Sequence, residues 1–452
     1  MYALTLSALA IAGAAAQADI YTATASADVA AAQATAKTSQ PTSHVRGKVF
    51  DRFVTIWLEN TDYDKAFADP NLQWLASQGI SVNNYFGVTH PSMPNYIASI
   101  GGDTFGCDND DFKQIDANVS TLIDLLEDKG ISWSSYQEDM PYSGFEGKAY
   151  VNQQTKANDY VRKHNPPVIF DANTTPERLS AQKNISMINK DASMFHKDLA
   201  EGKLPQWMFI TPNMTSDGHD TSVTTAGQWC RDLLEPLIND KKSSFWDRTL
   251  VLLTFDESET YTKSNRVFSI LLGDAVPKHL HGTKDDSYYN HYSEIATVEA
   301  NWDLHTLGRF DVGANVFDFV GKKTGDHIRP WAAATDANPS IFFNSSYAGP
   351  LNENFETAPY EAPNVNIKSP GSGRTVLPAI VEKWGGKSLP TPPKYGMGPG
   401  PAAPPAPGKK PGKENPPKPG DEASNATYYT DKVEIPDGQH PPPGFDYNDA
   451  QN

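Results

Sequence analysis

The sequence predicts an α/β fold, a central mostly parallel β-sheet with helices on both faces, and three observations lead there. Several short runs are apolar and β-prone without alternation, the pattern of strands buried on both faces. Segments with helical spacing lie among them. Polar and acidic residues follow these runs at once, where ligands bind in parallel α/β sheets.

Residues 49–58, ending in Thr55-Ile56-Trp57-Leu58, read as a buried strand that stops at Glu59-Asn60. Residues 71–78 form a short helix closed by Gly79. Pro94 fits a first helical position, Tyr96, Ile97 and Ile100 have helical spacing, and Gly101-Gly102 supply a stop. Residues 121–128 repeat the pattern with Leu122, Leu125 and Leu126, stopped by Gly130. A second strand covers 207–211 and is halted by Pro212. A third, 249–255, ends in Asp256-Glu257, and a fourth covers 266–272. Residues 293–304 are helical through Ile295, Val298 and Trp302. No internal repeat breaks this order.

The chain divides into four stretches. Residues 1–18 read as a signal peptide, because the apolar run 3–16 is too short to span a bilayer and ends in the cleavage pattern Ala16-Gln17-Ala18. Residues 19–45, rich in Ala, Thr, Ser and Gln, read as a low-complexity leader. Residues 46–385 hold all the predicted elements. Residues 386–452 form a Pro/Gly-rich tail, with twelve Pro and six Gly between 390 and 420, a composition that stays extended and solvated. Cell-wall association is the alternative task for that tail. Six N-x-[ST] sequons, at Asn118, Asn173, Asn184, Asn213, Asn344 and Asn425, agree with a secreted glycoprotein. No later run has the length of a membrane span, and no apolar tail points to a lipid anchor. Cys107 and Cys230 allow one disulfide or two free thiols, and cannot build a cysteine zinc site. With 38 Lys+Arg against 55 Asp+Glu the net charge is −17, which disfavours nucleic acid and anionic membranes as partners. An anionic substrate then needs a local cation, and a metal ion is a candidate.

The chemistry concentrates where the strands stop. If the strands ending at Leu58 and Phe255 are neighbours, Glu59, Asp256 and Glu257 converge, and such a cluster demands a proton, an arginine or a metal. Hard oxygen ligands suit Mg²⁺, Ca²⁺ or Mn²⁺, with Fe or Zn as alternatives, so the ion's identity stays open. Taken singly, each tip is equally an ordinary helix cap. Ser92 lies at a helix entrance, where free N–H groups and the dipole favour a phosphate. It is either an N-cap contributing about 1 kcal/mol or a nucleophile that needs a base or a metal. After the strand ending at Thr211 comes Asp217-Gly218-His219-Asp220, in which His219 suits a general acid. In Asn290-His291-Tyr292-Ser293-Glu294, Ser293 is a candidate cap, and His291 either lines the site or sits at the helix entrance.

The ordered set E-N, H-P-S-x-P-N-Y, D-G-H-D, F-D-E and H-Y-S-E-I-A-T-V-E resembles secreted fungal acid phosphatases, within a phosphoesterase family that also holds bacterial phospholipases C and related acid phosphatases. The resemblance spans roughly residues 50 to 320. It implies an alkaline-phosphatase-like core, with 46–385 as the catalytic domain, and hydrolysis of small phosphate monoesters through a phosphoserine intermediate. Carried over by motif, Glu59, Asn60, Ser92, Asp256 and Glu257 hold a divalent metal, and His219 binds phosphate or protonates the leaving group. Asn95, Asp217 and His291 join His219 at the phosphate. The segment Ser92-Met93-Pro94-Asn95 is similar to the T-x-P-N segment of nucleotide pyrophosphatases, which supports Ser92 over Thr89. Two-zinc relatives end in Asp-His where this chain has Asp256-Glu257, so one ion per chain is expected. A phospholipase C-like phosphodiesterase is the close alternative, and a non-catalytic cell-wall glycoprotein the alternative from another class.

Overall fold

The computed structural model describes residues 26–151, 158–240, 243–261, 263–330, 346–354 and 358–387. The expected signal peptide, the tail from residue 388, and the sequons at Asn344 and Asn425 lie outside these residues.

The strands are β1 (Arg52–Leu58), β2 (Ile80–Phe86), β3 (Trp133–Glu138), β4 (Ala149–Val151), β5 (Asn158–Val161), β6 (Gln182–Ile185), β7 (Trp207–Thr211), β8 (Thr249–Phe255), β9 (Arg266–Leu272), β10 (Thr283–Asp285) and β11 (Tyr289–Asn290). Nine of them form one sheet in the order β10-β2-β9-β8-β1-β7-β3-β6, with β11 also paired to β2, while β4 and β5 make a separate hairpin. All pairings in the large sheet are parallel except those of β9, which runs antiparallel to β2 and β8. The expected mostly parallel sheet is therefore present. The sequence run at 266–272 gives a strand but carries no sign of its direction.

Among the helices flanking the sheet, α1 (Pro70–Ser77), α2 (Ser92–Gly101), α3 (Leu122–Asp128), α4 (Val223–Asn239), α5 (His291–Trp302) and α6 (Asp318–Thr324) matter most here. Helix α4 packs on α1, and α5 packs on α2 and α6. Asp69 caps α1 by accepting the Asn71 and Leu72 N–H groups, and Pro70 fills the position that needs no donor. Thr121 and Asp124 form a capping box on α3. On α5 the cap is Asn290, and Ser293 completes its capping box from the third helical position. Helix α2 begins two residues earlier than Pro94 suggests, with Pro94 still among the first residues whose N–H groups have no partner within the helix. It ends on Gly102 in the left-handed region (φ 69°).

The expected leader is not featureless. Ser26–Gln33 is an Ala-rich helix, and the chain after it docks on the domain. Gln40 donates to Asp198, Ser43 donates to Gln206, and Gln206 returns a bond to the Val45 carbonyl. Polar side chains make most of this attachment and the apolar Val29 packs with Met140, Phe145 and Tyr160, so no apolar period announces it.

The disulfide that two cysteines allow is not formed. Both thiols are free and buried, Cys107 in the loop after α2 and Cys230 on α4. Burial pushes the Cys107 thiol up to about 12. Among the described residues no helix is long and apolar enough to cross a membrane.

Candidate active site

Register is what gathers the site. On β1 and β8, Leu58 pairs with Phe255, so Glu59 and Asp256 leave the sheet level with each other. The Asp256 N–H donates to the Leu58 carbonyl (3.0 Å), the Thr61 N–H to that of Glu257 (3.2 Å) and the Glu59 N–H to that of Asp217 (3.1 Å). Three strand ends are thus tied backbone to backbone, and β2 delivers Ser92 to the same edge of the sheet.

Ser92 is the first residue of α2, and its hydroxyl makes no capping bond. The hydroxyl instead donates to Glu59 Oε2 (3.1 Å) and lies 3.5 Å from Glu257 Oε1. The oxygen faces acids and not its own helix, so Ser92 is not the helix cap, a position held by Pro91. The other Glu59 oxygen accepts from the Tyr96 hydroxyl (2.7 Å) and lies 3.1 Å from His164 Nε2. The far side of the His164 ring places Nδ1 3.6 Å from Asp217 Oδ2, and its face stacks on Tyr96. Against Glu257 Oε2 lies His90 Nδ1, whose ring stacks on Tyr261 at 3.9 Å.

Glu59, Asp217, Asp256 and Glu257 are all at most 1% exposed. Burial pushes the carboxyl groups of Asp217, Asp256 and Glu257 well above the usual range, and the Glu59 charge pushes each in the same direction. Burial also drives His164 well below the ordinary histidine value, with Lys163 and His219 adding to it. The neutral imidazole that results is the form that ligates a metal.

The donor set fits a divalent cation. Ligand atoms of Glu59, His164 and Asp217 lie within 4.8 Å of one another, all buried. Asn60 Oδ1 and Asp256 Oδ2 are shielded from solvent without a hydrogen-bond partner. Oxygen ligands with one imidazole are a common mixture for first-row divalent ions. Of the five residues expected to hold a metal, Glu59 belongs to this trio. Ser92 touches Glu59, and Asp256 and Glu257 stand next to it.

The residues expected at the phosphate are distributed differently. Asp217 sits in the trio, its Oδ1 accepting the His219 N–H (2.8 Å). His219 lies beyond His164, ring centroids 6.5 Å apart, with Nδ1 2.7 Å from Asp220 Oδ1. Asn95 accepts from the Val88 and Thr89 N–H groups and donates to the Thr89 and Pro91 carbonyls, so its amide is spent on fixing the loop before Ser92. His291 is buried beneath the site, Nε2 2.6 Å from the Asp256 carbonyl and the ring tilted against Trp57, centroids 4.2 Å apart.

Four residues of the cluster carry no assignment from sequence: His164, its neighbour Lys163, Tyr96 and His90. The signal for the first two was faint but present. Arg162-Lys163-His164 is a basic triplet before Asn165-Pro166-Pro167 in an otherwise acidic chain. It forms a single 3₁₀ turn after β5.

The chain is 51% identical over 325 residues to an acid phosphatase from Aspergillus fumigatus, covering 72% of this chain and 69% of that protein. It is 47% identical over 358 residues to a probable acid phosphatase from Kluyveromyces lactis, covering 79% and 81%. Among solved structures it is similar to a protein in the alkaline phosphatase superfamily from Vibrio parahaemolyticus, with 12% identity, a TM-score of 0.36, and coverage of 60% and 73%. The model of the Phosphoesterase family matches residues 60–305, more than half of the sequence. The chain belongs to the Phosphoesterase family.

Proposed function

We propose that this chain is an exported acid phosphatase that hydrolyses phosphate monoesters through a phosphorylated Ser92. That it is a phosphoester hydrolase follows from its family and from its identity to named acid phosphatases. The finer reading rests on one observation above the others: a buried serine hydroxyl at the start of a helix, 3.1 Å from one carboxylate and 3.5 Å from a second.

Glu59 and Glu257 are placed to take the Ser92 proton as its oxygen attacks phosphorus in line. The N-terminal end of α2 turns its dipole toward the charge that builds on the phosphoryl oxygens, while its Met93 N–H is taken by Asp110. Glu59, His164 and Asp217, with Asp256, Glu257 and Asn60 beside them, would hold a divalent cation. Bound there, such an ion supplies positive charge that offsets the carboxylates and favours the ionised serine. His219, oriented by Asp220, donates a proton to the leaving alcohol and then draws one from the water that cleaves the phosphoserine. His291 and Asn95 position the Asp256 backbone and the 88–91 loop. The apolar leader and the sequons support export, and the Pro-rich tail supports a wall-facing location.

Two displacements at one phosphorus give net retention of configuration, which a chiral phosphate ester reports. Ser92→Ala lowers turnover of p-nitrophenyl phosphate by about 10³-fold or more without altering the unfolding transition. Activity within a few-fold of wild type removes Ser92 from the nucleophile's role.

A further inference from the structure

We infer that Lys163 binds the second anionic oxygen of a phosphate monoester and thereby sets a preference for monoesters over diesters, a refinement that rests on the phosphatase reading above. Lys163 Nζ lies 2.8 Å from Asp110 Oδ2, and Asp110 Oδ1 accepts the Met93 N–H at 2.9 Å. Met93 follows Ser92 directly, so one carboxylate ties the ammonium to the first turn of the helix that carries the nucleophile. The next residue in the chain, His164, touches Glu59 and Asp217. Lys163 and His164 therefore flank the serine's surroundings, one at the rim and one in the floor.

The charge pattern gives the lysine a task. The floor is acidic, formed by Glu59, Asp217, Asp256 and Glu257. The Lys163 ammonium keeps its charge at neutral pH, as an ordinary lysine does, and pairs with Asp110. Lys163 is thus a permanent cation at the mouth of a site that must accept an anion. Its side chain is 16% exposed and that of Asp110 34%, so a substrate reaches the pair. An ammonium has three donors, and Asp110 takes one.

A phosphate monoester, with a second pKa of about 6, carries two negative charges at pH 7, while a diester carries one and lacks the oxygen this ammonium would meet. Charge-assisted hydrogen bonds are roughly twice as strong as neutral ones, so the distinction is expressed in rate. A lysine serving only to pair with Asp110 would affect stability, and its loss would slow both esters alike.

The test compares kcat/KM for p-nitrophenyl phosphate and bis-p-nitrophenyl phosphate at pH 7, using the full-length enzyme and its Lys163→Met and Lys163→Arg variants. Lys163→Met lowers the monoester value by about 10²-fold and the diester value by less than about 10-fold, so their ratio falls at least tenfold. Lys163→Arg restores part of the ratio. The monoester defect shrinks at pH 5, where that substrate takes up a proton, and inorganic phosphate inhibits the Met variant less than wild type. A diester too slow to turn over is measured as a competitive inhibitor, with the same comparison. Equal losses on the two esters overturn the inference. Should Lys163→Met not fold, Lys163→Gln keeps a polar tip against Asp110 and is judged by the same ratio. A wild-type enzyme that hydrolyses neither ester overturns the phosphatase reading itself, an outcome distinct from an unchanged ratio.

Discussion

Glu294 tests how far buried acids set the stability of this protein. It lies on α5, 2% exposed, and burial pushes its carboxyl from 4.5 up to about 8. In the unfolded chain it titrates near the ordinary glutamate value. Between those two pH values the folded state keeps a proton that the unfolded state has lost, so the unfolded state binds fewer protons and stability falls as pH rises. The group's contribution is complete below about 4.5, declines through the interval and is exhausted above about 8. At about 1.4 kcal/mol per pH unit, the loss from this residue reaches roughly 5 kcal/mol. Asp69, pushed by burial up to about 7, and Glu138, pushed up to about 6, add losses of the same sign over narrower windows. Glu294→Gln removes the titration while keeping the side chain's shape. The assay is urea unfolding of wild type and Glu294→Gln at pH 4.5, 6 and 8, in chelator, so that no ion contributes. Expected are similar stabilities at pH 4.5 and a widening advantage for the Gln variant toward pH 8, at unchanged m-value. Parallel stability–pH curves for the two proteins would refute the reasoning.

Two further outcomes are expected. Dialysis against a strong chelator abolishes hydrolysis and a divalent ion restores it, while His164→Ala binds that ion at least tenfold more weakly, as read by elemental analysis of the dialysed protein. Peptide mapping of the exported protein finds a glycan at Asn118, which is exposed, and none at Asn173 or Asn213. The Asn173 amide nitrogen donates to Thr121 Oγ1 and that of Asn213 to Asp139 Oδ2, and both asparagines are themselves buried, so a sugar at either position is incompatible with the fold.

What the sequence revealed and what it hid divide along one physical line. β1, β7 and β8 are legible because each is a run of apolar residues buried on both faces, and the level register of β1 and β8 then places Glu59 beside Asp256. β3 is equally buried, yet it reads Trp-Ser-Ser-Tyr-Gln-Glu, and no apolar-run rule finds it. Several of its polar groups find partners inside the domain, and those partners are informative. Ser135 donates to Asn165 Oδ1, and Gln137 donates to Thr211 Oγ1, which in turn donates to the His164 carbonyl. The polar strand therefore holds the turn that presents Lys163 and His164. The 162–164 turn at the site and β3 in the sheet escape for the same reason: a segment that works by hydrogen bonds inside a core has no hydrophobic period to show. His164 also owes its position to Tyr96, whose ring it stacks on and with whose hydroxyl it shares the Glu59 Oε1 oxygen. In the sequence Tyr96 shows only a helical spacing shared with Ile97 and Ile100, and it is fully buried. Only the pairing of that helix with the 162–164 turn turns a core tyrosine into part of the carboxylate's surroundings, and that pairing joins segments nearly seventy residues apart.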